Sequence, residues 1–476
     1  MASPQRVPAP TEAAPALERR LGPFDAAAVI VSNVIGGGIL FTPPLVAATI
    51  PHPWLFLGVW AMGGALAFAG AMAYAELAAL RPRAGGEYVY LRAAYGKLAA
   101  FLTGWTSFVA GFSGAIAASS VFLAIYLDRF IPGAGDPTPF FTIPLPWIPL
   151  VFSRQSLVAV SAILLMSWVH LRGVGPGRVM GNVLATLKVL ALLMFIALGF
   201  SIGAGSTANL QQSSGGSVPV TSWLLALIPV MFAFSGWNAA SYIAEEIRDP
   251  GRNVPRALAL GTAAVIVVYV LLNLLYLFVL PVTELAQVKG SVLDVIADRL
   301  FNQMAGHVMG AVSIISLAAS ISANVFAGPR VYFAMARDGL FISPAARIHP
   351  RFHTPAAAIV AQALWSCVLV LTGSGSALTT YTGFAVILFG GVAVAALFVL
   401  RHREPDAPRP FRALGYPVAP AIFTIASALI VCNALYNDLV KAVINGTEWG
   451  PAAAGLLVIA AGIPVYFLLK GRRMQA

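Results

Sequence analysis

The stretch Ile35-Gly-Gly-Gly-Ile39 decides the fold, because it stands near the middle of an apolar run and is followed by Pro43 and Pro44. Each glycine weakens a helix by about 1 kcal/mol relative to alanine. Three together free backbone N–H and C=O groups, which persist in hydrocarbon only where they line a cavity. A small-residue face for close helix packing would use the same residues. The stretch alone therefore leaves a broken helix and a packing face both open.

The composition places this stretch in a membrane. The chain has 476 residues, of which 59% are hydrophobic and 10% charged, whereas soluble domains carry about 25% charged residues. So few charges cannot cover the surface of a soluble fold of this size. Many of the 33 prolines and 44 glycines stand inside apolar runs, as is common in membrane helices. We therefore predict a polytopic, all-α membrane protein.

Twelve apolar segments are long enough to cross a bilayer, which takes about 20 residues. Eleven is the main alternative, because only residues 372–376 separate the ninth segment from the tenth. The first segment is too long for a signal-peptide core and is interpreted as a retained helix. The predicted spans cover residues 24–49, 54–80, 98–127, 155–171, 178–200, 221–246, 255–281, 305–334, 355–373, 376–400, 415–437 and 451–469.

The lysines and arginines test this topology independently. With the N-terminus in the cytoplasm, 23 of the 29 fall in inner segments, 5 in outer segments, and Lys188 within a span. This bias follows the positive-inside rule, and the lysines and arginines would not show it if the chain had eleven helices. We therefore predict twelve helices with both termini cytoplasmic. The lysines and arginines lie in short clusters between the apolar segments, so the membrane topology explains the net charge of +11. We therefore predict no nucleic-acid partner.

Several classes of site are absent from the sequence. Cys367 and Cys432 lie inside apolar runs, so we interpret them as small core residues and predict no disulfide-linked partner subunit. No metal-ligand cluster, nucleotide loop or cofactor motif is found, so we predict no metal and no cofactor. Gly111-Phe-Ser-Gly114 matches an intramembrane serine protease motif, but no histidine stands at membrane depth to serve as base. We predict that the protein is not an enzyme.

A second interruption lies in the sixth span, at Phe232-Ala-Phe-Ser-Gly-Trp-Asn238. Interrupted helices at corresponding positions of two halves are a sequence sign of a transporter site. Half-helix N-termini offer free N–H groups and a positive dipole end, which suit a carboxylate. Unwound carbonyl groups suit an ammonium group. A zwitterionic amino acid carries both charges, so the backbone alone could bind it.

Lys188 stands about ten residues into the fifth span, roughly 15 Å deep. A charge at that depth is costly and marks a functional candidate. The eighth span offers a matching polar face, since Ser313, Ser316, Ser320 and Asn324 recur at helical spacing. Hydroxyl groups that bond back to carbonyls of their own helix are the alternative interpretation.

No aspartate or glutamate falls in the middle of a predicted span. Glu76 stands near the inner end of the second span, and Glu245 and Glu246 at the inner end of the sixth, where we expect salt bridges to loop arginines. A cationic side chain would need a buried carboxylate partner, and an acidic one a second cation besides Lys188. The predicted substrate is therefore a neutral amino acid of undetermined size.

The chain resembles the amino acid–polyamine–organocation superfamily, and within it the L-type amino acid transporters and their bacterial relatives. The resemblance covers about residues 22–470. It rests on four ordered motifs: Ile35-Gly-Gly-Gly-Ile-Leu-Phe-Thr-Pro43, Arg83-Ala-Gly-Gly-Glu-Tyr-Val-Tyr90, Gly236-Trp-Asn with Glu245-Glu-Ile-Arg-Asp-Pro-Gly-Arg-Asn-Val-Pro255, and Pro329-Arg-Val-Tyr-Phe-Ala-Met-Ala-Arg-Asp-Gly339.

The resemblance implies a five-plus-five inverted repeat with discontinuous helices one and six. On this basis residues 23–200 form the first repeat and 221–403 the second. Residues 404–476 then hold two peripheral helices and a short tail. Residues 1–22 are rich in alanine, proline and arginine, and we interpret them as a disordered cytoplasmic tail. The implied location is the bacterial inner membrane, with the lipid bilayer as the surrounding partner.

The resemblance also implies the site residues. The substrate carboxylate would meet Gly36, Gly37 and Gly38, although many relatives have serine or threonine where Gly37 stands. Lys188 would replace a sodium ion, bridging helices one and eight near Ser320 and Asn324. The remaining substrate-binding residues are Ile35, Phe232, Ala233, Ser235, Gly236 and Asn238, with Phe232 also acting as an aromatic gate.

These expectations define a sodium-independent transporter of neutral L-amino acids that works by alternating access, as an exchanger. A proton-coupled symporter is the alternative within the same class. A non-transporting amino acid sensor or a channel is the alternative from another class.

Overall fold

The computed structural model describes residues 17–145, 149–211, 218–372, 375–445 and 450–473. Most of this chain is helical, which confirms the all-α membrane fold. The first eight helices are α1 (Pro23–Val34), α2 (Gly37–Thr49), α3 (Pro53–Leu80), α4 (Glu87–Tyr95), α5 (Lys97–Thr106), α6 (Phe112–Leu127), α7 (Arg154–Leu171) and α8 (Val174–Ser201).

The second half of the chain continues the pattern with longer helices and three short ones. They are α9 (Val220–Ala233), α10 (Ala239–Tyr242), α11 (Pro250–Val279), α12 (Val282–Leu285), α13 (Val292–Leu300), α14 (Gln303–Arg337), α15 (Ala356–Leu371), α16 (Gly375–Arg403), α17 (Val418–Asn445) and α18 (Pro451–Arg473).

The helices agree with the predicted spans to within a few residues at most ends. Within the described ranges, nine helices are long and apolar enough to cross a membrane, and the bent pair α1–α2 raises the number to ten. Two shorter apolar helices, α9 and α15, occupy the sixth and ninth predicted positions. Helices α15 and α16 are separate; residues 373–374 between them lie outside the described chain. The count of twelve and the inverted repeat stay predictions.

Helix α14 forms the centre of the bundle. It is 35 residues long, and its middle is buried on almost every side. It packs against α1, α6, α8, α13 and α15, and small residues on its surface allow this close approach. A π-helical turn, Ser107–Gly111, joins α5 to α6. Such turns are frequent at functional sites, and this one faces the cavity described below.

Three features differ from the sequence predictions. A short antiparallel hairpin, β1 (Pro139–Ile143) with β2 (Leu150–Ser153), precedes α7. Residues 1–16 of the predicted disordered tail lie outside the described chain, but Leu21 is buried and pairs with Ile247. Cys432 is exposed on α17 rather than part of the core, whereas Cys367 is half-buried on α15.

Candidate functional site

The helix of the first span is broken at the glycines. Helix α1 ends at Val34, and α2 begins at Gly37 with its axis turned by 42°. Between them Ile35 is extended and Gly36 has φ −152° and ψ −142°. The first N–H groups of α2 have no partners within the helix, and they carry the positive end of its dipole. This end therefore offers a site for an anion.

The sixth span is interrupted as well. Helix α9 ends at Ala233, residues 234–238 form turns, and α10 resumes at Ala239. Gly236 has a φ of +99°, a conformation that favours glycine. The last carbonyl groups of α9 leave the helical ladder at this point and form the negative end of its dipole. They are acceptors suited to an ammonium group.

The two breaks are packed directly against each other. A Cβ atom on Gly38 would lie only 2.5 Å from the Cα atom of Ala233. On the other side, a Cβ atom on Gly236 would lie 2.5 Å from Oδ1 of Asn33. Gly38 therefore lets the start of α2 approach the end of α9, and Gly236 lets the turn after α9 approach the end of α1.

Both breaks line one cavity, in which about 110 Å³ is open to water. The Ser107–Gly111 turn, α6, α14 and α16 supply further walls. Ile35 and Lys188 lie behind this lining. Ten of the predicted site residues belong to it: Gly36, Gly37, Gly38, Phe232, Ala233, Ser235, Gly236, Asn238, Ser320 and Asn324.

Lys188 is fully buried behind the first break. Its Nζ atom donates hydrogen bonds to the carbonyl oxygens of Ser32, at 3.1 Å, and Ile35, at 2.5 Å. These carbonyls belong to the C-terminal end of α1, where a cation is stabilised. No carboxylate in the described chain pairs with Lys188. The hydrogen-bond partners of Lys188 are therefore carbonyl groups at the end of α1 rather than the side chain of Ser320.

The polar face of α14 lies on the other side of the break. A Cβ atom on Gly36 would lie 3.0 Å from the side chain of Ser320. The Asn324 side chain donates to the Ser320 carbonyl at 2.8 Å. Ser313 bonds back to the Met309 carbonyl of its own helix, as the alternative interpretation expected. Ser320 and Asn324 therefore border the cavity, while Ser313 satisfies its own helix.

Tyr269 of α11 is a site residue that sequence reasoning missed. Its hydroxyl oxygen lies 2.7 Å from the Val34 carbonyl oxygen and 3.0 Å from that of Ala233, and it donates between them. One side chain thus joins the end of α1 to the end of α9. The only signal in the sequence was a polar aromatic residue inside an apolar run.

Aromatic rings close the cavity near the start of α2. Phe41 stacks on Phe122, with ring centroids 4.2 Å apart. A Cβ atom on Gly37 would lie 3.1 Å from the Phe122 ring, so the ring takes the space that a serine or threonine would need there. Phe232, the predicted gate, is half-buried and lines the same cavity close to Gly383.

A buried carboxyl group also lines the cavity. Glu87, the first residue of α4, accepts hydrogen bonds on Oε1 from Tyr74 and from Asn238, both at 2.7 Å. The Thr103 hydroxyl lies 3.5 Å from Oε2. The sequence prediction considered only carboxylates within spans, and α4 lies between the second and third. Its motif, residues 83–90, was quoted for the family resemblance without a role in the site.

The glutamates after the sixth span form the expected salt bridges. Glu246 and Arg330 are fully buried and pair through two hydrogen bonds, at 2.7 and 3.0 Å. Glu245 pairs with Arg337 at the end of α14 and accepts from the backbone of Ala84. These contacts hold the segment that follows α10 against helix α14.

The sequence matches known transporters over almost its whole length. The amino acid permease family profile matches residues 21–461. The chain is 30% identical to the human large neutral amino acids transporter small subunit 2 over 95% of its length and 81% of that protein's. It is 29% identical to the mouse Asc-type amino acid transporter 1, with the same coverage.

A third relative is the human b(0,+)-type amino acid transporter 1, 29% identical over 95% of this chain and 88% of that protein. All three are amino acid transporters and none is an enzyme by name. The chain spans most of each relative, so the match includes both breaks and the helices that surround them. The protein belongs to the amino acid permease family of the amino acid–polyamine–organocation superfamily and transports amino acids.

Proposed function

We propose that the protein exchanges neutral L-amino acids across the bacterial inner membrane by alternating access, without sodium. The observation that carries this proposal is the pair of backbone breaks on one cavity, with Lys188 bound behind the first. In this scheme both termini are cytoplasmic, twelve helices cross the bilayer, and residues 23–200 and 221–403 form the two repeats.

The substrate would bind through its two backbone charges. Its carboxylate would accept hydrogen bonds from the N–H groups at the start of α2, at Gly36, Gly37 and Gly38. Its ammonium group would donate to carbonyls of Ile35 and of the α9 end, from Phe232 to Ser235. A carbonyl oxygen has two lone pairs, so the bond from Lys188 leaves one on Ile35 for the substrate.

The cavity lining supports a neutral side chain. Most lining residues are apolar or carry hydroxyl groups, and none of those described is a lysine or arginine that could pair with an acidic substrate. The one carboxyl group, Glu87, already bonds to Tyr74 and Asn238. A cationic side chain would have to displace these hydrogen bonds.

The position of Lys188 supports the proposal that transport does not need sodium. Its ammonium group supplies positive charge at the C-terminal carbonyls of α1, and a bound cation there would meet charge repulsion. Proton-coupled symport is the second candidate, because a carboxyl group lines the cavity. We keep an amino acid sensor or channel as the alternative from another class.

The test is uptake of radiolabelled leucine and alanine into proteoliposomes, with and without internal amino acid. An exchanger should be stimulated strongly by internal substrate and unaffected when potassium replaces sodium. Stimulation only by an acid exterior would favour symport, and no uptake of any amino acid would contradict transport.

Lys188→Ala should abolish exchange, because it leaves the carbonyls of Ser32 and Ile35 without their buried donor. Unfulfilled buried acceptors cost about 1–3 kcal/mol each. Exchange at the wild-type rate in this variant would refute the role of the lysine. Arg299→Ala is a matched control, since that cation is exposed and pairs with Glu284 far from the cavity.

A further inference from the structure

Glu87 differs from the other buried glutamates in its lack of a counter-ion. Glu76 pairs with Arg401 and Arg409, and Glu246 pairs with Arg330. Glu87 is also buried, with 7% of its surface exposed against 0% for Glu76 and Glu246, and within the described chain no lysine, arginine or histidine lies at ion-pair distance from it. A carboxylate in such a place is costly unless it takes up a proton.

The hydrogen bonds of Glu87 suit a carboxylic acid. Its Oε1 atom accepts two short bonds, from the Tyr74 hydroxyl and the Asn238 amide. The Oε2 atom has the Thr103 hydroxyl at 3.5 Å, and a hydroxyl can accept as readily as it donates. One oxygen therefore acts as an acceptor, while the other has room for a proton directed at Thr103. The hydrogen bond from Tyr242 to the same carboxyl group stabilises the ionised form, so the surroundings of Glu87 can hold either protonation state.

The groups around Glu87 are phenols and amides rather than charges. Tyr74 of α3, Tyr242 of α10 and Tyr90 of its own helix face it. The charged residues of the neighbouring helices contact other turns of α4: Asp338 pairs with Arg92, and Arg403 bonds to the Ala94 carbonyl. Burial raises the pKa of the Glu87 carboxyl group, while its four hydrogen-bond partners oppose the rise.

Asn238 connects this carboxyl group to the substrate site. It is the last residue of the helix-six break, and its amide nitrogen bonds both to Glu87 and to the Tyr242 hydroxyl. Residues 239–246, which we call the inner segment, follow directly. The ionised carboxylate holds these groups more firmly than the neutral acid, because charge-assisted hydrogen bonds are about twice as strong as neutral ones.

We propose that Glu87 is a proton-binding site of the transport cycle, and that its ionised form restrains the inner segment through Asn238. Uptake of a proton weakens the bonds from Asn238, Tyr74 and Tyr242 and lets the inner segment move. The inference rests on the proposed transport of neutral amino acids. It assigns the pH dependence of that transport to one side chain.

The test is leucine exchange in proteoliposomes at equal internal and external pH, from about pH 5 to pH 8.5. The wild-type rate should be higher at the acid end than at the alkaline end, because uptake of a proton by Glu87 releases the inner segment. Glu87→Gln offers an acceptor at the Oε1 position and a donor at the Oε2 position, like the protonated acid. Its rate should therefore show no pH dependence across this range.

Two further variants make the result specific. Tyr74→Phe removes one donor to the carboxylate, which favours the protonated acid and should move the midpoint of the profile to higher pH. Glu284→Gln alters an exposed glutamate paired with Arg299 on the outer side and should keep the wild-type profile. Size-exclusion profiles and thermal unfolding in detergent check that each variant is folded.

A wild-type pH profile in Glu87→Gln would overturn the proposal, and so would a wild-type protein whose exchange does not depend on pH. If Glu87→Gln fails to fold, an unmoved midpoint in Tyr74→Phe would overturn it instead. Absence of exchange at every pH would contradict the proposed function alone. Infrared spectra then decide about Glu87, since its protonated carboxyl band should titrate in the wild type and be absent from Glu87→Gln.

Discussion

Gly38→Ala tests most directly the close contact between the two helix breaks, where Gly38 of α2 packs against Ala233 of α9. The added methyl group would lie 2.5 Å from the Cα atom and 2.9 Å from the Cβ atom of Ala233, whereas ordinary contact begins at 3.4 Å. The start of α2 and the end of α9 would have to separate by about 0.9 Å, the difference between 2.5 and 3.4 Å. Overpacking of this kind costs about 1–3 kcal/mol, and a displacement near 1 Å is enough to misplace a ligand.

The expected result is a weaker substrate complex in a folded protein. If the full cost falls on the bound state, the Kd for leucine rises about 5- to 150-fold. Binding of radiolabelled leucine to purified protein in detergent measures this directly, and leucine exchange in proteoliposomes measures its consequence. Gly36→Ala should have a smaller effect, because its methyl group would meet only the Ser320 side chain, at 3.0 Å.

Gly181→Ala is the matched control. Gly181 lies inside α8, and nothing lies within 4 Å of a Cβ atom placed there. The substitution should raise stability by about 0.4–1 kcal/mol and leave binding unchanged. If Gly38→Ala binds leucine as tightly as the wild type, or if Gly181→Ala loses as much affinity, the contact between the breaks does not set the substrate site.

Three other substitutions probe the surroundings of the breaks. Tyr269→Phe removes the donor shared by two buried carbonyls, which should cost about 1–3 kcal/mol of stability, so we expect a lower unfolding temperature together with weaker leucine binding. Glu246→Gln should destabilise the protein by about 3–5 kcal/mol, because Arg330 loses its buried counter-ion; thermal unfolding near wild type would contradict this. Gly37→Ser should weaken binding by pressing on the Phe122 ring, and adding Phe122→Leu should restore it in a double-mutant cycle.

The breaks could be predicted from the sequence because their cause is local. Runs of glycine such as residues 36–38, and the small residues before Asn238, weaken a helix wherever it lies. The position of Lys188 inside a long apolar helix could also be predicted, since it follows from counting residues along an apolar run. These features depend on the chain alone, and most helix ends lie within a few residues of the predicted spans.

The partners of these residues could not be predicted, because they depend on which helices are neighbours. Lys188 binds Ser32 and Ile35 on α1 rather than Ser320 on α14, although both helices were expected to adjoin it. Glu87 follows Gly85 and Gly86, both of which have positive φ, and this turn carries α4 into contact with the cavity. A search for charged residues within the predicted spans does not find Glu87, because α4 lies between the second and third spans.

The hydrogen-bond donors at the two breaks show which backbone groups already have partners and which are left for a substrate. Lys188 bonds to the Ser32 and Ile35 carbonyls, and Tyr269 to those of Val34 and Ala233. Fixed donors thus already satisfy part of the negative end of each broken helix. The N–H groups at the start of α2 have no such partner within their helix, and Lys188 adds positive charge behind them. In the binding mode that we propose, the substrate carboxylate would therefore complete the site electrostatically, whereas the ammonium group would share acceptors that the protein already uses.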